Sequence, residues 1–296
     1  MVNKIINDNG VFKIKINPKN YKGKITNNTF KEIETVIEEF ANTMIKNNEY
    51  FRLCNFIKRI KTTRFIYYKE PFIKEEFNEN IVLNGYYSSH NNTITFSDYE
   101  SLTHELFHLS NQHNNLNNIE RGGLEFNPNE PNINIGIGIN EGLVELYHSR
   151  YFSKKEVDTY YNEKMITKHI ELLIGENNLK RIFSREEYFE LLIELSKYSS
   201  VEETLTFLDS IDSITKSNIF GSDKVDLNTY LIVNDAFAYI SKYLKKCYKK
   251  KIEIENLDKD SIYITEDMIP VLTYKSLRVV KPPKVKKIIY KKGINQ

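Results

Sequence analysis

The sequence predicts an α+β fold in which a small mixed or antiparallel sheet packs on a central helix and a mostly helical C-terminal half follows. Three observations predict it. Most strand-like runs lie before residue 97. Segments with helical spacing of apolar residues dominate from residue 154 to about residue 250. A helix-starting pattern, Ser or Thr followed three positions later by Glu, recurs at Thr29, Ser97, Ser153, Ser184 and Ser200.

Residues 11–17 alternate apolar and polar side chains and predict a strand. Thr29 and Glu32 open a helix running to about Lys46, with Ile33, Val36, Ile37, Phe40 and Met44 on one face. A second helix covers residues 50–60, and residues 63–68 predict a strand. Two further strands are expected at 81–87 and 93–96, joined by the turn-forming run Ser88-Ser89-His90-Asn91-Asn92. A helix starts near Asp98, in the Ser97-x-x-Glu100 box, with Leu102, Leu106 and Leu109 as its apolar stripe. An Asn-rich loop, 111–118, precedes two pieces, 121–126 and 132–139, which read as the strands of a hairpin. Asn140 is a suitable N-cap for the next helix, which runs to His148. Helices are then expected at 154–174, stopped by Gly175, and at 185–198, 201–213 and 228–250. The Lys-rich stretch 275–292, with Pro282-Pro283, predicts an extended solvated tail.

The 296 residues suffice for one or two domains, and 40% hydrophobic with 28% charged residues is ordinary globular composition. One domain is expected to comprise 1–97, an N-terminal helix-and-sheet scaffold, and 98–215, its metal-binding and helical part, followed by 216–296, a helical region with a basic tail. A net charge of +2 predicts no nucleic-acid partner. Heavy use of Asn, Ile and Lys, with no Trp, is a coding bias of AT-rich genomes and carries no function. Cys54 and Cys247 form no Cys-x-x-Cys pair, which predicts a reducing compartment. The first residues contain no apolar signal-like core and no run reaches membrane-spanning length, so the expected location is cytoplasmic.

The chemistry is concentrated in His104-Glu105-Leu106-Phe107-His108. On a helix, positions i and i+4 share a face, so both imidazoles can reach one zinc ion. Glu105 lies on the flank, where its carboxylate can act on water instead of binding metal. A zinc enzyme of this kind needs a third protein ligand. Glu141, Glu145 and His148, on one face of the helix that follows, are the candidates.

His-Glu-x-x-His followed 33 positions beyond His108 by Asn140-Glu141-x-x-x-Glu145 resembles the pattern of the gluzincin metallopeptidases, of which the thermolysin-like enzymes are best known. The resemblance covers residues 80–175 and implies a zincin-like fold. It implies one zinc per chain on His104, His108 and Glu141, with Glu105 as general base. Glu145 would accept a hydrogen bond from a ligating histidine. It implies a peptide or protein substrate and a Tyr or His that stabilises the oxyanion. Tyr147, His148, Tyr151, Tyr160, Tyr161 and His169 are available, and Tyr160 and Tyr161 are best placed in sequence. No Gly-x-Met-Glu-Asn-like run is present, which favours internal cleavage over aminopeptidase action. A metzincin pattern would need Gly at 111 and His at 114, where the chain has Asn111 and Asn114, so His113 is rejected as third ligand.

Two other readings stand beside this one. Glu105-x-x-His108 and Glu145-x-x-His148 are the paired motifs of a di-iron helical bundle, with Glu34, Glu38 or Glu39 as further ligands. The chain also fits a zinc-bearing, peptidase-like binding or effector protein with narrow activity or none.

Overall fold

The structure, a computed structural model, describes residues 2–8, 11–16, 21–22, 27–76, 79–112, 120–127, 135–152, 160–185, 187–219 and 227–256. The expected tail at 275–292, most of the Asn-rich loop including His113, and residues 132–134 lie outside these. The architecture is α+β.

Strands β1 (Val2–Asp8) and β2 (Val11–Ile16) form an antiparallel pair. The main sheet has four strands in the order β3 (Tyr21–Lys22), β4 (Arg64–Tyr67), β8 (Thr93–Phe96) and β7 (Gly85–Ser88). The first three run parallel, and β7 pairs antiparallel with β8, Gly85 opposite Phe96 and Ser88 opposite Thr93. A separate hairpin joins β5 (Phe72–Glu76) to β6 (Glu79–Leu83). The single strand expected at 81–87 is therefore two, broken at Asn84. The Asn84 carbonyl accepts the Ser97 backbone N–H at 2.7 Å, one step beyond the Gly85–Phe96 pair, so from Asn84 on the chain pairs with β8 and before it with β5.

Helices α1 (Asn27–Lys46) and α2 (Tyr50–Ile60) follow the expected apolar faces closely. Ile33, Ile37, Phe40 and Met44 are fully buried, as are Phe56 and Ile60. Phe40 gathers the rings of Phe56, Phe107 and Phe152 within 5.0, 5.1 and 5.5 Å, tying the N-terminal helices to the middle of the chain.

Helix α3 (Tyr99–Ser110) is the one that carries both histidines of the motif. Its cap is Asp98, whose carboxylate accepts the Ser101 backbone N–H at 2.7 Å. Ser97 is not the cap; its hydroxyl donates to the Asn84 carbonyl at 3.1 Å. Leu102, Leu106 and Leu109 are fully buried.

The expected hairpin of 121–126 and 132–139 is corrected on both sides. The first piece contains both strands, β9 (Glu120–Gly122) and β10 (Glu125–Asn127), paired antiparallel. Residues 137–139 are the first turn of α4 (Ile137–Tyr151). Asn140 therefore does not cap α4. It is buried inside the helix, and its side-chain oxygen accepts the Leu124 backbone N–H at 3.2 Å, holding the β9–β10 turn.

The C-terminal half consists of α5 (Tyr161–Ile174), α6 (Glu176–Arg185), α7 (Tyr188–Ser196), α8 (Val201–Ile219) and α9 (Leu227–Glu255). The helix expected from 154 starts only at Tyr161 among the described residues. The helix expected at 185–198 is corrected too: Ser184 lies in the last turn of α6, giving its hydroxyl to the Lys180 carbonyl at 2.8 Å, and α7 begins separately. At Ser200 the predicted box does form, with Ser200 N–H on the Glu203 carboxylate and Glu203 N–H on the Ser200 hydroxyl, both at 3.2 Å. One buried cluster runs from Phe12 to Tyr248 and crosses both expected boundaries, 97/98 and 215/216. No helix among the described residues is long and apolar enough to cross a membrane.

Candidate metal centre

Helices α3 and α4 bring His104, His108 and Glu141 together. His104 Nε2 lies 3.2 Å from His108 Nε2 and 3.3 Å from Glu141 Oε2, and His108 Nε2 lies 3.4 Å from the same oxygen. Three ligands of a tetrahedral zinc with bonds of ~2.0–2.1 Å are separated by about 3.3 Å, so this near-equilateral triangle has the edge length that zinc requires. Two imidazoles and one carboxylate are also a donor set that zinc accepts. The three side chains remain 12–14% exposed, which leaves an open side for water or substrate.

Among the described residues a second group, His104, Glu145 and His148, is also close enough to hold an ion. It uses the other ring nitrogen of His104, with Nδ1 3.4 Å from Glu145 Oε2. Glu145 is only 1% exposed, so this group has no open coordination position facing solvent. With a metal on the first group, Glu145 would accept the His104 Nδ1 proton and leave Nε2 to the ion, so the second group fits a support of the first. His148 packs its ring 6.0 Å from that of His104. Neither group includes Glu34, Glu38 or Glu39.

Glu105 is buried between α3 and β7, and a Cβ at Gly85 would lie 2.8 Å from its Oε1 and 3.0 Å from the Ser101 Cβ, so a larger residue there would push the Glu105 side chain aside. Burial pushes the Glu105 carboxyl up, opposed by His108, His104 and a backbone hydrogen bond from Tyr87. Tyr160 stacks on His104, centroids 5.9 Å apart at 19°. Burial, then the charges of Glu141 and Glu105, hold its hydroxyl protonated well above the ordinary range. Tyr161 is directed elsewhere, with Lys164 Nζ 5.7 Å from its ring. His169 is buried against the Tyr248 hydroxyl at 2.9 Å, on α5 and α9.

The electrostatics make the site proton-loaded when no cation is present. Burial opposes charge on His104, but the Glu141 and Glu145 carboxylates outweigh it and push the imidazole up to about 10. His108 is raised in the same way, chiefly by Glu141, and Glu141 is held well below the usual carboxylate range. A zinc ion bound here would have to displace these protons. Its apparent affinity is therefore expected to rise with pH, by up to about tenfold per unit for each proton released, until pH approaches the His104 value. The metal-free protein should show the opposite trend. A histidine whose folded pKa is raised contributes stability that is complete below ~6.5 and is lost as pH climbs toward that folded value. Chelator competition and melting of the metal-free protein, each at about pH 6.5 and about pH 9, check both signs.

Comparison of the chain with protein-family models, with curated proteins and with solved structures gave no match. The functional reading therefore stands on the geometry of the site.

Proposed function

We propose that the protein is a zinc-dependent peptidase of gluzincin type that hydrolyses internal peptide bonds of a peptide or protein substrate. The observation that carries this reading is the His104–His108–Glu141 triangle, with edges of 3.2–3.4 Å, beside a buried carboxylate that is not part of it. Zinc held by these three side chains would polarise the peptide carbonyl and acidify water at the open position.

The chain's own groups supply the rest. Glu105 takes a proton from the attacking water and delivers it to the leaving amine. Burial, which raises its pKa, makes the carboxylate a better proton acceptor than an exposed one. The Tyr160 hydroxyl, kept protonated, donates a hydrogen bond to the carbonyl oxygen as negative charge develops there. β7, the outer strand of the sheet, runs beside Glu105, so an extended substrate lying along it would reach the metal-facing carboxylate.

A peptide-library digest by the zinc-loaded protein tests the reading. Cleavage within peptides is expected, abolished by a chelator and restored by zinc. Zinc bound at one per chain with no cleavage of any library member would instead establish the peptidase-like binding or effector protein.

A further inference from the structure

Helix α4 carries Glu141, yet among the described residues its N-terminus has no local side-chain cap. Gly136 stands at the N-cap position with φ +81° and no side chain to offer. A helix start leaves several backbone N–H groups without intrahelical partners, and burial makes that costly. Here the missing acceptor comes from another helix. Asp212, buried on α8, accepts the Gly136 N–H through Oδ2 at 2.7 Å and the Gly138 N–H through Oδ1 at 2.8 Å. The first turn of α4 also lies directly on α8. A Cβ at Gly138 would come within 2.7 Å of the carbonyl carbon and oxygen of Ile211.

We infer that Asp212 is a positioning residue for the metal centre, setting the rotation and tilt of α4 and with them the place of the Glu141 carboxylate. The role rests on the zinc reading above. Glu141 is one turn beyond Gly138. A rotation of about 10° moves a carboxylate ~6 Å from the helix axis by ~1 Å, which is enough to spoil a ligand set. Burial pushes the Asp212 carboxyl up to about 6 against the pull of the two amides, so at neutral pH it is the anion that both N–H groups meet. A bidentate acceptor fixes direction as well as distance, which a single hydrogen bond does not.

The test uses the full chain and two variants. Asp212→Asn replaces one acceptor oxygen by an amide that opposes a backbone N–H. Gly138→Ala lifts the same turn off Ile211 while leaving Asp212 intact. Zinc affinity is measured by competition with a chromophoric chelator, and ligand geometry by the visible spectrum of the Co²⁺-substituted protein. Both are read at a temperature where circular dichroism shows the variant folded. Zinc binding weaker by roughly tenfold or more, with an altered Co²⁺ spectrum, is expected in both. Variants that melt earlier but keep the wild-type zinc affinity and spectrum overturn the assignment. So does failure of both to fold, which makes the contact one of global stability. A wild-type protein that binds no zinc overturns the metal reading itself, and is thereby distinguished from a wild type that binds zinc beside unaltered variants.

Discussion

Replacing Glu105 by Gln should leave one zinc per chain and lower kcat by about 10²–10⁴-fold. Gln matches Glu in shape, so it fits the narrow space against Gly85, where the carboxylate already sits within contact distance of the strand. The triangle formed by His104, His108 and Glu141 does not include Glu105, and nothing in that set changes. On the proposed mechanism, what is lost is the group that takes a proton from water and carries it across to the leaving nitrogen. Metal content by mass spectrometry, together with turnover on a cleaved library peptide, separates the two effects. A variant that loses its zinc would show Glu105 to be a ligand and would dismantle the assignment of roles.

The second large effect distinguishes the two acids of α4. Glu141→Ala leaves only two imidazoles and should empty the site at zinc concentrations that saturate the wild type. Glu145→Ala removes the acceptor 3.4 Å from His104 Nδ1 and frees the ring to turn or change tautomer. Zinc should then bind about 10–100-fold more weakly, as for other losses of a group that orients a ligand. Titration of both variants with zinc under chelator competition gives the ratio directly. The reverse order, with Glu145→Ala empty and Glu141→Ala loaded, would move the ion to the group formed by His104, Glu145 and His148.

How legible each element was in the sequence follows from where its stabilising contacts come from. α2 spans residues 50–60 as expected because its apolar face, Leu53, Phe56 and Ile60, is periodic and self-announcing. α3 was readable for the same reason, although Asp98 and not Ser97 makes the cap. Ser184 and Ser200 carry the same pattern, yet only Ser200 forms the reciprocal box; a four-residue pattern does not say whether a helix is starting or ending around it. α4 defeated the reading at its start. Ile137-Gly138-Ile139 alternates like a strand, and the acceptor that makes it helical lies more than 70 residues away on α8.

At the site, helical spacing aligned His104 with His108 on one helix and Glu141 with Glu145 on another, but the meeting of the two helices is a tertiary contact, and the choice of Glu141 among Glu141, Glu145 and His148 came from the resemblance. Tyr160 and Tyr161 could not be separated by sequence, since adjacent positions on a chain entering a helix point in different directions; only Tyr160 meets His104. The closeness of Gly85 to Glu105 and the grip of Asp212 on α4 are long-range contacts, and no local pattern marks them.

From Gly138 to His148 every residue of α4 is buried, so this stretch of backbone has no solvent-facing side apart from the small opening at the Glu141 carboxylate. Amphipathic helices at a protein's rim come and go by fraying, and a metal ligand on one of them is lost in small local openings. That route is closed to Glu141. Its amide and its neighbours can exchange with solvent only when the surrounding core opens, which couples the lifetime of the ligand set to the cooperative unfolding of the molecule instead of to motions of its surface.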